Sequence, residues 1–191
     1  MTAPLHTNWV AIIGAPSSGK SSVIEELATR GYMVEREVAR AYIEERMAHG
    51  ASLEDVRGPE GIQHMQRQIF ARSVARDEQL DPTALVFFDR GLGDAIFYYK
   101  RAGLDPAPVW DVSRHYRYRA VFMLQRLPIT ADNIRTEDDA AAQQMQQAFY
   151  ADYLALGYDV VMVPVMSITE RADFILQHLR LPALSSATAI A

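Results

Sequence analysis

Apolar residues fall into two kinds of run along this chain. Unbroken runs without polar alternation occupy Trp9–Ile13, Ala84–Phe88, Ala120–Leu124 and Val160–Val163, and a shorter one opens Tyr32-Met33-Val34-Glu35. Runs of this kind suit strands buried on both faces of a sheet. Between them, apolar residues recur at helical spacing. Ile62, Met65, Ile69 and Val74 predict a long helix opened by Gly58-Pro59-Glu60 and reaching about Leu80, where Asp81-Pro82 stops it. Met145, Phe149 and Leu156 mark a helix over 138–156 that Gly157 ends. Further helices are predicted over Val23–Ala28, Glu37–Ala48, Gly91–Arg101 and Trp110–Tyr116. A last one starts at Ser167, where Glu170 completes a capping box, and runs through Leu181.

Strands alternating with helices imply an α/β fold: a five-stranded, mostly parallel sheet with helices on both faces, a three-layer sandwich. The chain is read as a single domain over 1–191. Residues 1–8 and 182–191 are expected to be loose, and 127–137 reads as a lid-like segment between strand and helix.

The junction after the first strand carries the strongest chemical signal. Gly14-Ala15-Pro16-Ser17-Ser18-Gly19-Lys20-Ser21 has the spacing Gly-x4-Gly-Lys-Ser of a phosphate-binding P-loop, set in its required strand–loop–helix context, with Ser22 continuing into the helix. Gly14 and Gly19 let the backbone curl so that successive N–H groups converge on an anion, and the helix beginning near Lys20 adds its positive end. Lys20 is expected to reach the β- and γ-phosphates and Ser21 to ligate Mg²⁺; P-loop strength and spacing speak for ATP and Mg²⁺ as cofactors. An ordinary Gly/Ser turn is the plainer alternative.

A second group lies at the same end of the sheet. Asp89 directly follows an apolar strand, where P-loop proteins place a carboxylate in the Mg²⁺ shell, though it could instead cap the next helix. Arg90 beside it suits a phosphate or a substrate oxygen. Glu37 lies just past the second strand, outside the carboxyl ends of the strands where ligands bind in open α/β sheets, and is a candidate base; Glu35 is the alternative, and a dipole-stabilised helix-start glutamate the bland one. Arg40, one turn on, either pairs with Glu37 or holds substrate. Arg126 and Arg135 flank the lid-like segment, where an arginine can stabilise a transferred phosphoryl group; a local salt bridge is the rival role of Arg135.

Composition narrows the partners. The chain has 191 residues and a net charge of −5, with 49% hydrophobic and 23% charged residues. That is enough for a real core, and the acidic balance argues against nucleic acid as a partner. The basic run Arg114–Arg119 therefore reads as a solvated helix end. With no cysteine, disulfides, thiolate zinc sites and cysteine nucleophiles are excluded. No apolar stretch is long enough to cross a membrane and residues 1–8 carry no signal pattern, so a cytoplasmic location is expected.

Taken together, these residues resemble the small bacterial AAA-domain P-loop proteins built like ribosylnicotinamide kinase and the deoxynucleoside kinases. The resemblance spans about Trp9 to Leu181. It rests on Gly14–Ser21, on Gly31-Tyr32 leading to Glu37 and Arg40, on Phe87-Phe88-Asp89-Arg90-Gly91 with Asp94, on Asp132, Arg135 and Glu137, and on Leu156–Val161. It implies a nucleoside-kinase-like sheet with the P-loop strand central. It also implies a carboxylate base at Glu37 and a metal-and-acceptor pair at Asp89-Arg90. The sequence departs from the kinase pattern at Gly91, where a serine would stand. The expected activity is ATP/Mg-dependent phosphoryl transfer to a small hydroxylated acceptor, with a nucleoside as one candidate. Lys20, Glu37, Asp89, Arg90 and Arg135 would be the catalytic set. The alternative is a nucleotide-dependent ATPase or GTPase switch acting through a partner protein. A homodimer is admissible in either case.

Overall fold

The structure, a computed structural model, describes residues 3–59, 61–126 and 136–181. In chain order the elements are β1 (Leu5–His6), β2 (Trp9–Ile13), α1 (Lys20–Thr29), β3 (Met33–Glu35), α2 (Val38–Ala48), α3 (Leu53–Arg57), α4 (Ile62–Asp77), β4 (Val86–Asp89), α5 (Asp94–Arg101), α6 (Ala107–His115), β5 (Tyr116–Arg117), β6 (Ala120–Leu124), α7 (Thr136–Ala155), β7 (Val160–Val163) and α8 (Ile168–His178). The main sheet has the order β3-β4-β2-β6-β7, and every neighbouring pair is parallel. The five expected strands are all present, with the P-loop strand β2 in the middle.

Why the apolar runs do not alternate is visible in β2. Trp9, Ala11 and Ile13 face one core with Phe88, Ile96, Phe149 and Tyr153, whereas Val10 and Ile12 face the other with Val23, Leu27, Phe122 and Ile175. Both faces are buried, so both must be apolar. Helices α1 and α8 cover one face and α4 to α7 the other. A third, smaller cluster of Tyr42, Ile43, Val56 and Met65 ties α2, α3 and α4 together beside the sheet.

Three short elements were not foreseen. Leu5–His6, in the stretch expected to be loose, pairs in parallel with Tyr116–Arg117 to form a separate two-stranded ribbon. Helix α3 is set by a capping box in which Ser52 and Asp55 satisfy each other's backbone N–H groups. The expected box at Ser167 and Glu170 is formed in the same way and starts α8. The basic run leading into β5 and β6 is spent on internal contacts. Arg114 lies over Trp110, Arg117 covers Tyr158 and donates to the Leu156 and Gly157 carbonyls, and Arg119 donates to Asn8 and to the Leu179 carbonyl. Among the described residues no helix is long and apolar enough to cross a membrane.

Because all five strands point the same way, their carboxyl ends share one edge. The loops leaving β2, β3, β4, β6 and β7 therefore meet there, at the place where open α/β sheets bind ligands.

Candidate active site

The loop after β2 turns back on itself through Gly14 (φ +144°) and Gly19 (φ +88°), conformations that a side chain would strain. At Gly14 there is also no room, because a Cβ would lie 3.0 Å from the Ser18 hydroxyl and 3.1 Å from the Leu124 carbonyl. Lys20 is buried beneath this turn and donates to the Ala15 carbonyl at 2.9 Å and to the Ser18 hydroxyl at 3.5 Å. Burial lowers its pKa to about 8, helped by the nearby Arg90 charge and opposed by Asp89, Asp94 and Glu37. An ammonium held this way costs desolvation energy that a neighbouring polyanion would relieve. Pro16, Ser17, Lys20 and Ser21 all line one cavity of about 730 Å³, while Ser22 is exposed on the first turn of α1 and is not part of that lining.

Asp89 is the last residue of β4, level with Ile12 on β2. The Ser21 hydroxyl donates to its Oδ2 at 2.8 Å. Its Oδ1 is buried and has no hydrogen-bond partner. Burial raises the Asp89 pKa, with the Ser21 bond and Lys20 working against the rise. A hydroxyl and a carboxylate with an orphaned oxygen form a hard-oxygen donor set that fits Mg²⁺, which takes one or two protein ligands and keeps its remaining waters or phosphate oxygens.

Arg90 follows with its backbone in the left-handed region (φ 77°), unusual for a side chain this large. Its guanidinium donates to Glu37 Oε1 at 2.8 Å and to Asp94 Oδ2 at 3.3 Å, and lies over the Tyr98 and Phe149 rings. Burial works against its charge, yet Tyr98, Asp94 and Glu37 together hold its pKa above the ordinary value. Asp94 also accepts from the Tyr153 hydroxyl of α7 at 2.8 Å, and burial lifts its pKa to about 6. The chain of contacts Glu37–Arg90–Asp94–Tyr153 thus joins four elements. It also accounts for Gly91. A Cβ there would lie 2.6 Å from the Tyr153 hydroxyl and 3.0 Å from the Tyr118 ring, so a serine would displace the tyrosine that holds Asp94.

Glu37, immediately before α2, lines the cavity, whereas Glu35 does not and sits 3.9 Å from Arg76. Arg40 does not pair with Glu37, whose partner is Arg90; it lines the cavity without an ion pair among the described residues. Arg135 lies outside the described residues, as does most of the lid-like segment.

Sequence reasoning missed Arg171. It is buried, with only 2% of its surface exposed, and its guanidinium donates to three main-chain carbonyls: Ser18 at 2.6 Å, Gln125 at 3.0 Å and Pro164 at 3.1 Å. These belong to the loops after β2, β6 and β7. A planar trans peptide points its C=O and N–H in opposite directions. Holding the Ser18 carbonyl against α8 therefore turns the Gly19 N–H away from that helix. The signal was available: Arg171 sits on the same helical stripe as Ala172, Ile175 and Leu176, a charge among core positions. Burial lowers its pKa from the usual arginine value.

A family model described as "AAA domain" matches residues 9–171. Among the solved structures that share the fold are two of NadR proteins. A NadR protein in complex with NR superposes with a TM-score of 0.65 at 15% identity, covering 93% of this chain and 53% of that one. A NadR protein in complex with NAD and AMP-PNP gives a TM-score of 0.62 at 15% identity, covering 92% and 50%. The chain thus spans about half the length of either. No curated protein sequence matches it.

Proposed function

We infer, from the premise that this chain belongs to the AAA-domain family of P-loop proteins, that it is a phosphotransferase moving the γ-phosphoryl group of ATP to a small hydroxylated acceptor. The observation that carries this reading is the shape of the cavity. It runs from Lys20 and Ser21 past Glu37 and Arg90 into a chamber walled by α2 and α4, so a second molecule can lie beside the terminal phosphate. A switch protein has no use for such a chamber; it reports the phosphate through a surface segment. That the similar structures hold NR, or NAD with AMP-PNP, supports an acceptor of nucleoside size.

The polyphosphate is placed on the N–H groups of the Gly14–Gly19 turn, with Lys20 swinging from the Ala15 carbonyl onto the phosphate oxygens. Ser21 and Asp89 would hold Mg²⁺, which would supply neutralisation of the polyphosphate's charge. Glu37 keeps Oε1 on Arg90 and offers Oε2 to the acceptor hydroxyl. The hydroxyl oxygen bonds to the γ-phosphorus as its proton passes to Glu37. The bond from that phosphorus to the β,γ-bridging oxygen breaks, and ADP leaves. Arg90, fixed by Asp94 and Tyr153, holds Glu37 in place and faces the developing charge. Arg135 is assigned, from its sequence position, the closing contact on the γ-phosphoryl group.

The test is a panel of nucleosides and other small alcohols, with ADP release and phosphorylated product both measured. ADP release that depends on an acceptor and matches product one to one is expected. ADP release indifferent to every acceptor would replace this reading with an ATPase.

A further inference from the structure

The end of the cavity remote from the P-loop has a chemistry that a neutral acceptor does not use. Although the whole chain is acidic, with a net charge of −5, this cavity is lined by six basic side chains and three carboxylates. The three carboxylates, Glu37, Asp89 and Asp94, all lie at the P-loop end, engaged with Arg90 and Ser21. Arg76 is also engaged, bonded to Asp77 and laid over the Phe88 ring. That leaves Arg40, Arg57 and Arg101, which line the same cavity and have no carboxylate or carbonyl partner among the described residues.

Two of these are distal. Asp94 opens α5 beside Arg90 and Arg101 closes it. At 1.5 Å per residue, the two stand roughly 10 Å apart along the helix axis. The next carbonyl, Ala102, accepts from Gln63 at 3.0 Å, so this end of α5 lies against the start of α4. Arg57 ends α3 one short turn before α4 begins. Arg57 and Arg101 thus flank the first turn of α4, whereas Arg76, in the last turn of α4, lies on β4 under the P-loop edge. Between the two ends, α4 presents Met65, Ile69 and Phe70 to the cavity, and among them Gln66, 7% exposed, whose amide has no hydrogen bond among the described residues.

Resting on the phosphotransferase reading of this same cavity, we propose that the acceptor is an anion. It bears a carboxylate or phosphate at the end remote from its reacting hydroxyl, bound by Arg57 and Arg101 with Arg40 at the rim, and its apolar body lies on Met65, Ile69 and Phe70 with Gln66 as polar contact. Planar guanidinium forks bind either anion bidentately, so the two share one recognition chemistry.

Acceptors matched except at the anionic group test it. Pantothenate against its neutral alcohol panthenol is the carboxylate arm, and cytidine 3′-monophosphate against cytidine is the phosphate arm. Binding is read by calorimetry in the presence of the non-hydrolysable ATP analogue AMP-PNP, and phosphorylation by product formation with ATP. The wild-type protein is expected to prefer the anionic member of at least one pair by about tenfold or more, as charge-assisted bonds give. The variant carrying Arg57→Gln and Arg101→Gln is expected to lose that preference. AMP-PNP affinity, read at the opposite end of the cavity, reports that the variant is folded; if it has fallen, the single substitution Arg101→Gln is used instead. The proposal is overturned if no anionic member outcompetes its neutral twin, or if the preference survives both substitutions. Efficient phosphorylation of a neutral nucleoside would sink the anionic acceptor and leave the phosphotransferase standing. Failure of AMP-PNP to bind the wild type would remove both.

Discussion

The two ends of the cavity are built by different means. At the P-loop end the main chain does the work: a turn of consecutive residues follows one buried strand, and its one buried cation, Lys20, folds onto the turn's own Ala15 carbonyl. At the other end the main chain recedes and side chains from α2, α3, α4 and α5 face each other across open space, three of them arginines with no ion pair among the described residues. The motif of the first end lies within one loop and the strand beneath it, with Asp89 from β4 and Arg171 from α8 closing on it. The second exists only after four helices have been set in place, three of which, α2, α3 and α4, are tied by a small core of Tyr42, Ile43, Val56 and Met65. A phosphate grip can therefore be shared by many proteins, while what sits opposite it is free to differ.

Substitutions can separate the two ends. The largest effect is expected for Glu37→Gln, which keeps the side chain's shape and its bond to Arg90 but removes the proton acceptor. Turnover should fall by about a thousandfold with ATP affinity unchanged by calorimetry. Full turnover in that variant would clear Glu37 of the base role. Next comes Lys20→Ala, at the other end, which should weaken ATP binding by about a hundredfold. Unchanged affinity would break the assignment of the turn as the phosphate site.

A smaller effect is expected for Arg171→Met, since Arg171 acts through the Ser18 peptide and touches no substrate. The KM for ATP should rise about tenfold with kcat little changed, and Arg171→Lys should recover part of the loss, because one ammonium can still reach a carbonyl. A drop in kcat with KM intact would deny the positioning role.

The smallest effect concerns Asp77, which closes α4 outside the cavity lining. Burial lifts the Asp77 pKa from 3.8 to about 6, and Arg76 opposes the rise. Between those values the folded protein holds a proton that the unfolded chain has released, so this group's contribution to stability declines as pH rises from about 4 to 6 and then levels off. Asp77→Asn should therefore gain stability relative to wild type across that window, as urea unfolding at a series of pH values would show. A constant difference at all pH values would mean that Asp77 is not titrating there.

How much of this the sequence displayed follows the same division. The five strands were legible because a strand covered on both faces must be apolar at every position, and glycines punctuate the joints. The grip on phosphate was legible because its curvature is encoded by neighbours. The two-residue strands β1 and β5 were not, since two residues carry no period. Helix α3 was overlooked although Ser52 and Asp55 spell its start. Arg57 and Arg101 look like any surface arginine until the helices bring them to one rim. Gly91 looked like a departure from kinase pattern; the Tyr153 hydroxyl, sixty-odd positions later in the chain and unseen by any local rule, is what requires it.

The guanidinium of Arg171 gives the folding order a constraint. A nascent chain emerging from the ribosome displays the whole Gly14–Ser21 signature early, yet the Ser18 carbonyl has no donor from α8 until residue 171 is out. By then β6 and β7, whose outgoing loops the same side chain clasps, have also been made. The brace on the Ser18 peptide is thus completed only with the near-completion of the sheet, and fragments interrupted upstream carry the motif without it.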